Sequence, residues 1–497
     1  MQLFSFNSYR TRFFIALFSI AAFVLLSATI SLNNNLSYRV KAGNAAFSLA
    51  VGRHVLHQNG QDIAYRSATG YIAINDRQHK PLANIFYTSY DVEQSNTTNR
   101  PVTFVFNGGP GSASIWLHMG AFGPVRVNTT QGGYSDNPYS WLGFTDLVFI
   151  DPVGTGYSKP ADGVDIRKFY DYSQDISSIA EFIKVYLSQR HRSESPKFIA
   201  GESYGAVRAV GLAAYLQDSL QIKLAGLTLI SPVLNYKLVS FRLGNDEPYA
   251  YYLPTYALAA QYHQRLAPEL QELSTEKLTQ RVTEFSNATY AKFLKDGGPA
   301  SETIIDSLSY YTGSSRELLG KLNGRIADKQ FTKTLLATSK RVTGTFDSRV
   351  VGEDVTSDPS ETAIRGAFTR SYDQYVRNDL GYQNNLPYLA TTAVGSWNYG
   401  PHTINGYLDV SKLLEQLIIK DPDLKVKVAA GYYDLATPVA TINKVISNLK
   451  LSTQQKQNIS VDHYKAGHMI YLSDEANARF KINGEQFYKQ TLSVSRS

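Results

Sequence analysis

The chain has 497 residues, 43% hydrophobic and 18% charged, which is enough apolar material for a large core in one large domain or two. Its net charge of +7 is modest and no Lys/Arg run marks a basic surface, so no nucleic-acid partner is expected. There is no cysteine, which excludes disulfides, thiolate metal sites, a cysteine nucleophile and a lipidated cysteine anchor; no metal or cofactor cluster is visible either.

In chain order, Arg10 and Arg12 precede the apolar run Phe13 to Leu32. A basic start before such a run is an export signal, and the run is about the 20 residues that span a bilayer. Residues 1–32 are therefore read as a signal peptide, or as an anchor kept as a membrane tether through residues 13–32. The nearest small-residue cleavage pattern is Ser27-Ala28-Thr29. The protein is expected to be exported, periplasmic or secreted.

From Gly52 to Val92 the pattern is that of antiparallel strands: residues 62–66, 70–74 and 83–90 alternate between turn residues. Val102 to Phe106 is a fully apolar strand that ends in Asn107-Gly108-Gly109-Pro110-Gly111-Ser112. Asp146 to Ile150 is another, ending in Asp151-Pro152-Val153-Gly154-Thr155-Gly156. Asp171 to Gln189 has helical spacing through Ile176, Ile179, Ile183 and Leu187.

Pro196 to Val210 organises the rest. Lys197–Ala200 suits a buried strand, Gly201-Glu202-Ser203-Tyr204-Gly205 is a sharp G-x-S-x-G turn, and good helix formers follow. Such a turn lifts the serine oxygen to the strand's C-terminal edge, above a helix N-terminus that favours negative charge. It lacks the Lys-Ser/Thr ending of a phosphate loop. Leu224–Val233 is one more buried strand.

Apolar strands alternating with helices predict an α/β protein with a mostly parallel sheet flanked by helices. The alternation stops near Leu234 and resumes with Leu424–Ala430, a helix over 438–449, and a strand over Ile459–Tyr464. The expected organisation is an α/β core in two parts, residues 45–233 and 401–497, with an inserted helical cap over 234–400. An independent helical domain is the alternative for that insert.

A serine hydroxyl needs a base to take its proton, usually a histidine oriented by a carboxylate. On α/β-hydrolases these follow in the order Ser, Asp/Glu, His. Asp434 follows one late strand and His468 the next, so Ser203, Asp434 and His468 form the candidate triad. Asp434 could instead cap the helix after it, and His468 could be an ordinary loop histidine. His463 lies within a strand pattern and reads as structural. One oxyanion N–H would come from Tyr204, the other from Gly108, Gly109 or Gly111.

NGGPGSAS (107–114), DPVGTGYS (151–158), GESYG (201–205), Gly431–Asp434 and GHM (467–469) together resemble the serine carboxypeptidase family of α/β-hydrolases, from about residue 55 onward. GNDEPYAYYLPTYA (244–257) is similar to the exported bacterial branch. The resemblance implies Ser203 as nucleophile, His468 as general base and acid, and Asp434 as its orienting carboxylate. It implies oxyanion donors at Gly109 and Tyr204, and a grip on the substrate's terminal carboxylate by Asn107 and Glu202. A protonated Glu202 would donate to that carboxylate, so the resemblance implies peptide substrates and an acidic to mildly acidic working range.

Three positions depart from the family pattern. Val105 stands where a tryptophan is usual, Ala121 where a second glutamate pairs with the GESY glutamate, and Ser112 where cysteine is common. The carboxylate site is thus expected to be simplified. The rival readings are an esterase or acyltransferase on the same scaffold, and a catalytically silent, membrane-tethered binding protein.

Overall fold

The computed structural model describes residues 35–42, 45–93, 99–404 and 406–494. The export segment expected over 1–32 lies outside them. The main sheet is built from β1 (Asn35–Ala42), β2 (Ala45–Gln58), β3 (Gln61–Asn75), β4 (Pro81–Val92), β5 (Val102–Phe106), β6 (Asp146–Ile150), β7 (Lys197–Glu202), β8 (Gly226–Ile230), β9 (Lys425–Gly431) and β10 (Ile459–Tyr464). Their spatial order is β1-β2-β3-β4-β6-β5-β7-β8-β9-β10, and a two-residue strand at Lys159–Pro160 adds to β4. The six strands from β6 to β10 in that order run parallel. The first four form an antiparallel wing that joins through β4 and β6.

The chemistry of each half explains its pairing. Every residue of β5, β6 and β8 is buried, as strands covered on both faces must be. The wing alternates, as a half-solvated antiparallel sheet does. The two strands expected over 62–66 and 70–74 are one strand, β3. Gly70 between them pairs with Tyr87 in ordinary extended backbone, and Ala68 to Gly70 are buried, so nothing turns the chain there.

Helices α1 (Tyr172–Gln189), α2 (Tyr204–Ser219), α3 (Glu247–Tyr262), α4 (Pro359–Asn378), α5 (Ser411–Lys420), α6 (Val439–Asn448) and α7 (Asp474–Val494) carry most of the remaining packing. Alternate strand residues point to opposite faces. Phe104, Phe106 and Ile199 meet Ile176, Ile183, Val207, Leu414 and Val439 on one face, that of α1, α2, α5 and α6. Val105, Phe198 and Ala200 meet Phe368 of α4 and Phe480 and Tyr488 of α7 on the other.

Residues 234–400 do not pack as one body. Side chains from Ala250 to Leu336 bury one another in a third cluster, which touches the core through Tyr433 and Leu435. Helix α4 instead covers the sheet. Between them, residues 345–348 run back across the C-terminal ends of the last two strands: Leu435 N–H donates to Thr345 O (2.9 Å) and Ser348 N–H to Tyr433 O (3.0 Å).

Candidate active site

The site is assembled at the C-terminal ends of β5, β7, β9 and β10. Strand β7 stops at Glu202 and α2 starts at Tyr204, so the whole reversal falls on Ser203. Its backbone has φ 60° and ψ −123°, a conformation that non-glycine residues adopt only under constraint. The constraint is visible. Ser203 N–H donates to Ile230 O of β8 (2.9 Å), and Ala206 N–H donates to Ser203 O (3.0 Å). A Cβ on Gly201 would sit 2.2 Å from Gly205 O, so a side chain there would open the elbow.

The loop after β5 lies directly against the elbow. A Cβ on Gly108 would meet Glu202 O at 2.5 Å and the Tyr204 nitrogen at 2.6 Å. Ser112 N–H donates back to Gly108 O (3.1 Å), closing the turn that contains Gly109. Irregular chain straps this loop down: Thr392 N–H donates to Gly111 O (2.8 Å) and Ala113 N–H to Ala390 O (3.0 Å). The Gly108 turn and the Tyr204 nitrogen are thereby held against each other at the elbow.

Asp434 and His468 are brought together, with Nδ1 of His468 2.7 Å from Oδ2 of Asp434. Asp434 is fully buried. Its other oxygen accepts from Ala436 N–H (2.7 Å) and Thr437 N–H (2.9 Å), and Thr437 Oγ1 donates to Oδ2 (2.6 Å). The helix that Asp434 might have capped starts at Val439 behind Pro438, so these amides bind Asp434 in a loop of its own.

His468 is held on all sides. Its N–H donates to Phe346 O (2.6 Å), Phe346 stacks on its ring at 5.0 Å, and its carbonyl accepts from Ser231 Oγ (2.6 Å). Burial alone would lower its pKa, but the Asp434 charge and hydrogen bond, with smaller contributions from Glu202 and Asp358, carry it above the usual histidine value. Among the described residues no side-chain hydrogen bond joins Ser203 to His468; Ser203 adjoins Glu202, whose carboxyl lies within electrostatic reach of the imidazole. His463 lies apart, bonded to Asn443 Oδ1 (3.1 Å).

Asn107 and Glu202 also meet. Asn107 Nδ2 donates to Glu202 Oε2, while Asn107 Oδ1 accepts from Leu117 N–H (3.1 Å), which fixes which way the amide faces. Arg208, buried against Asp175 (2.9 Å), donates to Asn107 O (2.6 Å) and pins the residue from behind. Glu202 is 2% exposed. Burial pushes its carboxyl up to about 7, although His468, Tyr471 and Asn107 pull it back. It is a carboxylic acid that keeps its proton into the neutral range.

Sequence reasoning missed Tyr471, Thr437 and Phe346. Tyr471 O–H donates to Glu202 Oε2 at 2.9 Å, with Oε1 at 3.3 Å. Thr437 had a signal, since an Asp followed three residues later by Thr is a local turn pattern. Tyr471 and Phe346 had none. Among the described residues no group of three His, Cys, Asp or Glu is placed to hold a metal ion.

A profile described as serine carboxypeptidase matches residues 58–478. The chain belongs to the serine carboxypeptidase family. Serine carboxypeptidase-like 35 of Arabidopsis thaliana is 28% identical over 31% of this chain and 32% of its own length. Serine carboxypeptidase ctsa-3.2 of Caenorhabditis elegans is 25% identical over 46% of this chain and 43% of its own. The matched stretch thus spans between about a third and a half of these curated relatives. Among solved structures, Kex1Δp, a prohormone-processing carboxypeptidase from Saccharomyces cerevisiae, superposes with a TM-score of 0.56 at 16% identity, covering 86% of this chain and 92% of that one. At that identity the likeness is one of fold, and the fold is that of an α/β-hydrolase.

Proposed function

We propose that this chain is a serine carboxypeptidase that removes C-terminal residues from peptides. In this reading Ser203 Oγ attacks the last peptide carbonyl while His468 takes its proton. Asp434 keeps the imidazole in the tautomer that accepts at Nε2. The oxyanion forms against the N–H groups of Gly109 and Tyr204. His468 then passes the proton to the leaving amine, and the C-terminal amino acid departs. Water, deprotonated by the same histidine, hydrolyses the acyl-enzyme on Ser203 and restores both groups.

The observation that carries the reading is the buried Glu202–Asn107 pair one residue from the elbow serine. A general esterase has no use for a buried neutral acid there. A free substrate carboxylate needs one, because a carboxylate accepts hydrogen bonds and an ionised glutamate cannot give them. The helical cluster of residues 250–336 is read as a lid within the 234–400 insert. The resemblance over 244–257 and the N-terminal apolar run support an exported protein of the bacterial branch. Among the described residues no helix is long and apolar enough to cross a membrane.

The test compares a blocked dipeptide with a free C-terminus against its C-terminal amide. The expected result is strong preference for the free acid, fading as pH rises above neutrality and abolished by Ser203→Ala. Equal turnover of acid and amide would favour an esterase or amidase. Turnover that survives Ser203→Ala would remove the serine from the mechanism.

A further inference from the structure

The proposal rests on the carboxypeptidase reading and concerns how one half of the site is completed. No second carboxyl hydrogen-bonds Glu202 among the described residues. Glu202 nevertheless has more than Asn107 for company. Tyr471, three residues after His468 and fully buried, reaches it with its hydroxyl. Room for that ring is made at Gly120. A Cβ on Gly120 would stand 2.5 Å from Cε2 of Tyr471 and 2.6 Å from Cδ2. The tyrosine ring therefore occupies space that any larger residue at 120 would fill.

The two donors converge on one oxygen. Asn107 Nδ2 and Tyr471 O–H both point at Oε2 of Glu202, and Oε1 is the more distant at 3.3 Å from the phenol. A neutral carboxylic acid has one carbonyl oxygen, which accepts, and one hydroxyl, which donates. Two donors on Oε2 make it the carbonyl. The acid proton is then left on Oε1, free to be given to an incoming group. We propose that Tyr471 is a positioning residue for recognition of the substrate's C-terminal carboxylate, acting by fixing on which oxygen Glu202 carries its proton. A phenol buried this deeply keeps its proton throughout the working range, so of the Glu202–Tyr471 pair only Glu202 titrates there.

Around Glu202 the groups that bear on its charge are His468 and Asp434 from the loops after β10 and β9, Asn107 from the loop after β5, and Tyr471. Asp358, at the start of α4, acts on His468. Asn107 stabilises the ionised form of Glu202 without carrying charge, and Tyr471 does so more strongly. Removal of Tyr471 should raise the pH at which Glu202 loses its proton.

The experiment measures KM and kcat for the free-acid and amide substrates of one peptide from pH 4 to 9, in wild type, Tyr471→Phe, Glu202→Gln and the double variant, with a melting curve for each. With Tyr471→Phe, KM for the free acid should rise about fivefold at pH 5, the effect of one lost neutral hydrogen bond. Its alkaline midpoint should move up by about one pH unit. The amide's kcat/KM should stay within about twofold, because the phenol touches no reacting atom. In the Glu202→Gln background, Tyr471→Phe should move no midpoint. Gly120→Ala, which pushes the ring away, should give the Tyr471→Phe signature by a second route. Acid and amide falling together with no shift in midpoint would make Tyr471 loop support only and overturn the proposal, as would no change at all. A wild type that does not prefer the free acid overturns the carboxypeptidase reading and this proposal with it.

Discussion

Two titratable groups lie side by side here, and their needs oppose each other. In the proposed reaction His468 must be neutral to take the serine proton, and its pKa stands above the usual value because Asp434, and more weakly Glu202 and Asp358, outweigh its burial. In the same proposal Glu202 must be protonated to grip the substrate's carboxylate, and burial pushes it up to about 7. For a free-acid substrate, kcat/KM should therefore climb as His468 loses its proton and fall as Glu202 loses its own. The result is a bell whose limbs each change about tenfold per pH unit away from the peak. Because the two groups feel each other, the two midpoints belong to the pair. An amide substrate has no carboxylate to hold, so its profile should keep the acid limb and lose the alkaline one. Glu202→Gln should do the same to the free acid. A pH series of kcat/KM checks both, and an alkaline limb that persists in Glu202→Gln would remove Glu202 from the titration.

Helices α1 and α2 are locked to the site by one buried ion pair. Arg208 of α2 is 1% exposed, bonds Asp175 of α1 through Nε, and uses Nη1 to hold Asn107 O. Replacing such a pair with apolar residues often costs little, but removing one partner leaves a charge stranded in the core. Asp175→Asn should thus lower unfolding stability by about 3–5 kcal/mol in urea. Glu317→Gln, which breaks the exposed i,i+4 pair with Lys321 (2.6 Å), should leave the unfolding transition essentially where it is, because water already screens both charges. Similar losses for the two would show that Arg208 finds another partner. The elements themselves were legible wherever one period dominated. The apolar runs of β5, β6 and β8 and the 3.6-residue spacing of α1 announce themselves. The strap over 388–398 does not, because its Tyr, Thr, Ala and Gly residues follow no period and are placed by tertiary bonds such as Thr392 N–H to Gly111 O. Tyr471 was illegible for the same reason. Its role depends on Gly120 yielding space more than three hundred residues earlier in the chain, and no local pattern encodes that.

On the scale of the whole molecule, the insert between β8 and β9 sends one segment back to the chemistry. Residues 345–348 bond both loops of the acid–histidine pair: on the Asp434 side Thr345 O accepts from Leu435 N–H and Ser348 donates to Tyr433 O, and Phe346 O and its ring serve His468. Asp358 ties the segment to α4 by accepting from Thr345 N–H (2.7 Å). The close fit is again set by a glycine, since a Cβ on Gly467 would stand 2.3 Å from Phe346 O. Phe346 should therefore orient the imidazole while making no demand on the substrate's carboxylate. Truncating the ring in Phe346→Ala should lower kcat for acid and amide substrates in parallel, by about tenfold, the effect of a loosened base. The ratio of their kcat/KM values should not move, and neither should the alkaline midpoint that Glu202 sets. Phe346 is partly exposed, so the loss of stability should stay near or below about 1 kcal/mol, and a melting curve separates that from unfolding. An unchanged kcat would mean that the backbone bond from His468 N–H to Phe346 O is enough to hold the ring. A loss confined to the free acid would mean that the segment lines the carboxylate site. The parallel fall expected here, set against the acid-only effect of Tyr471→Phe, would separate the half of the site proposed to perform acyl transfer from the half proposed to select a chain end.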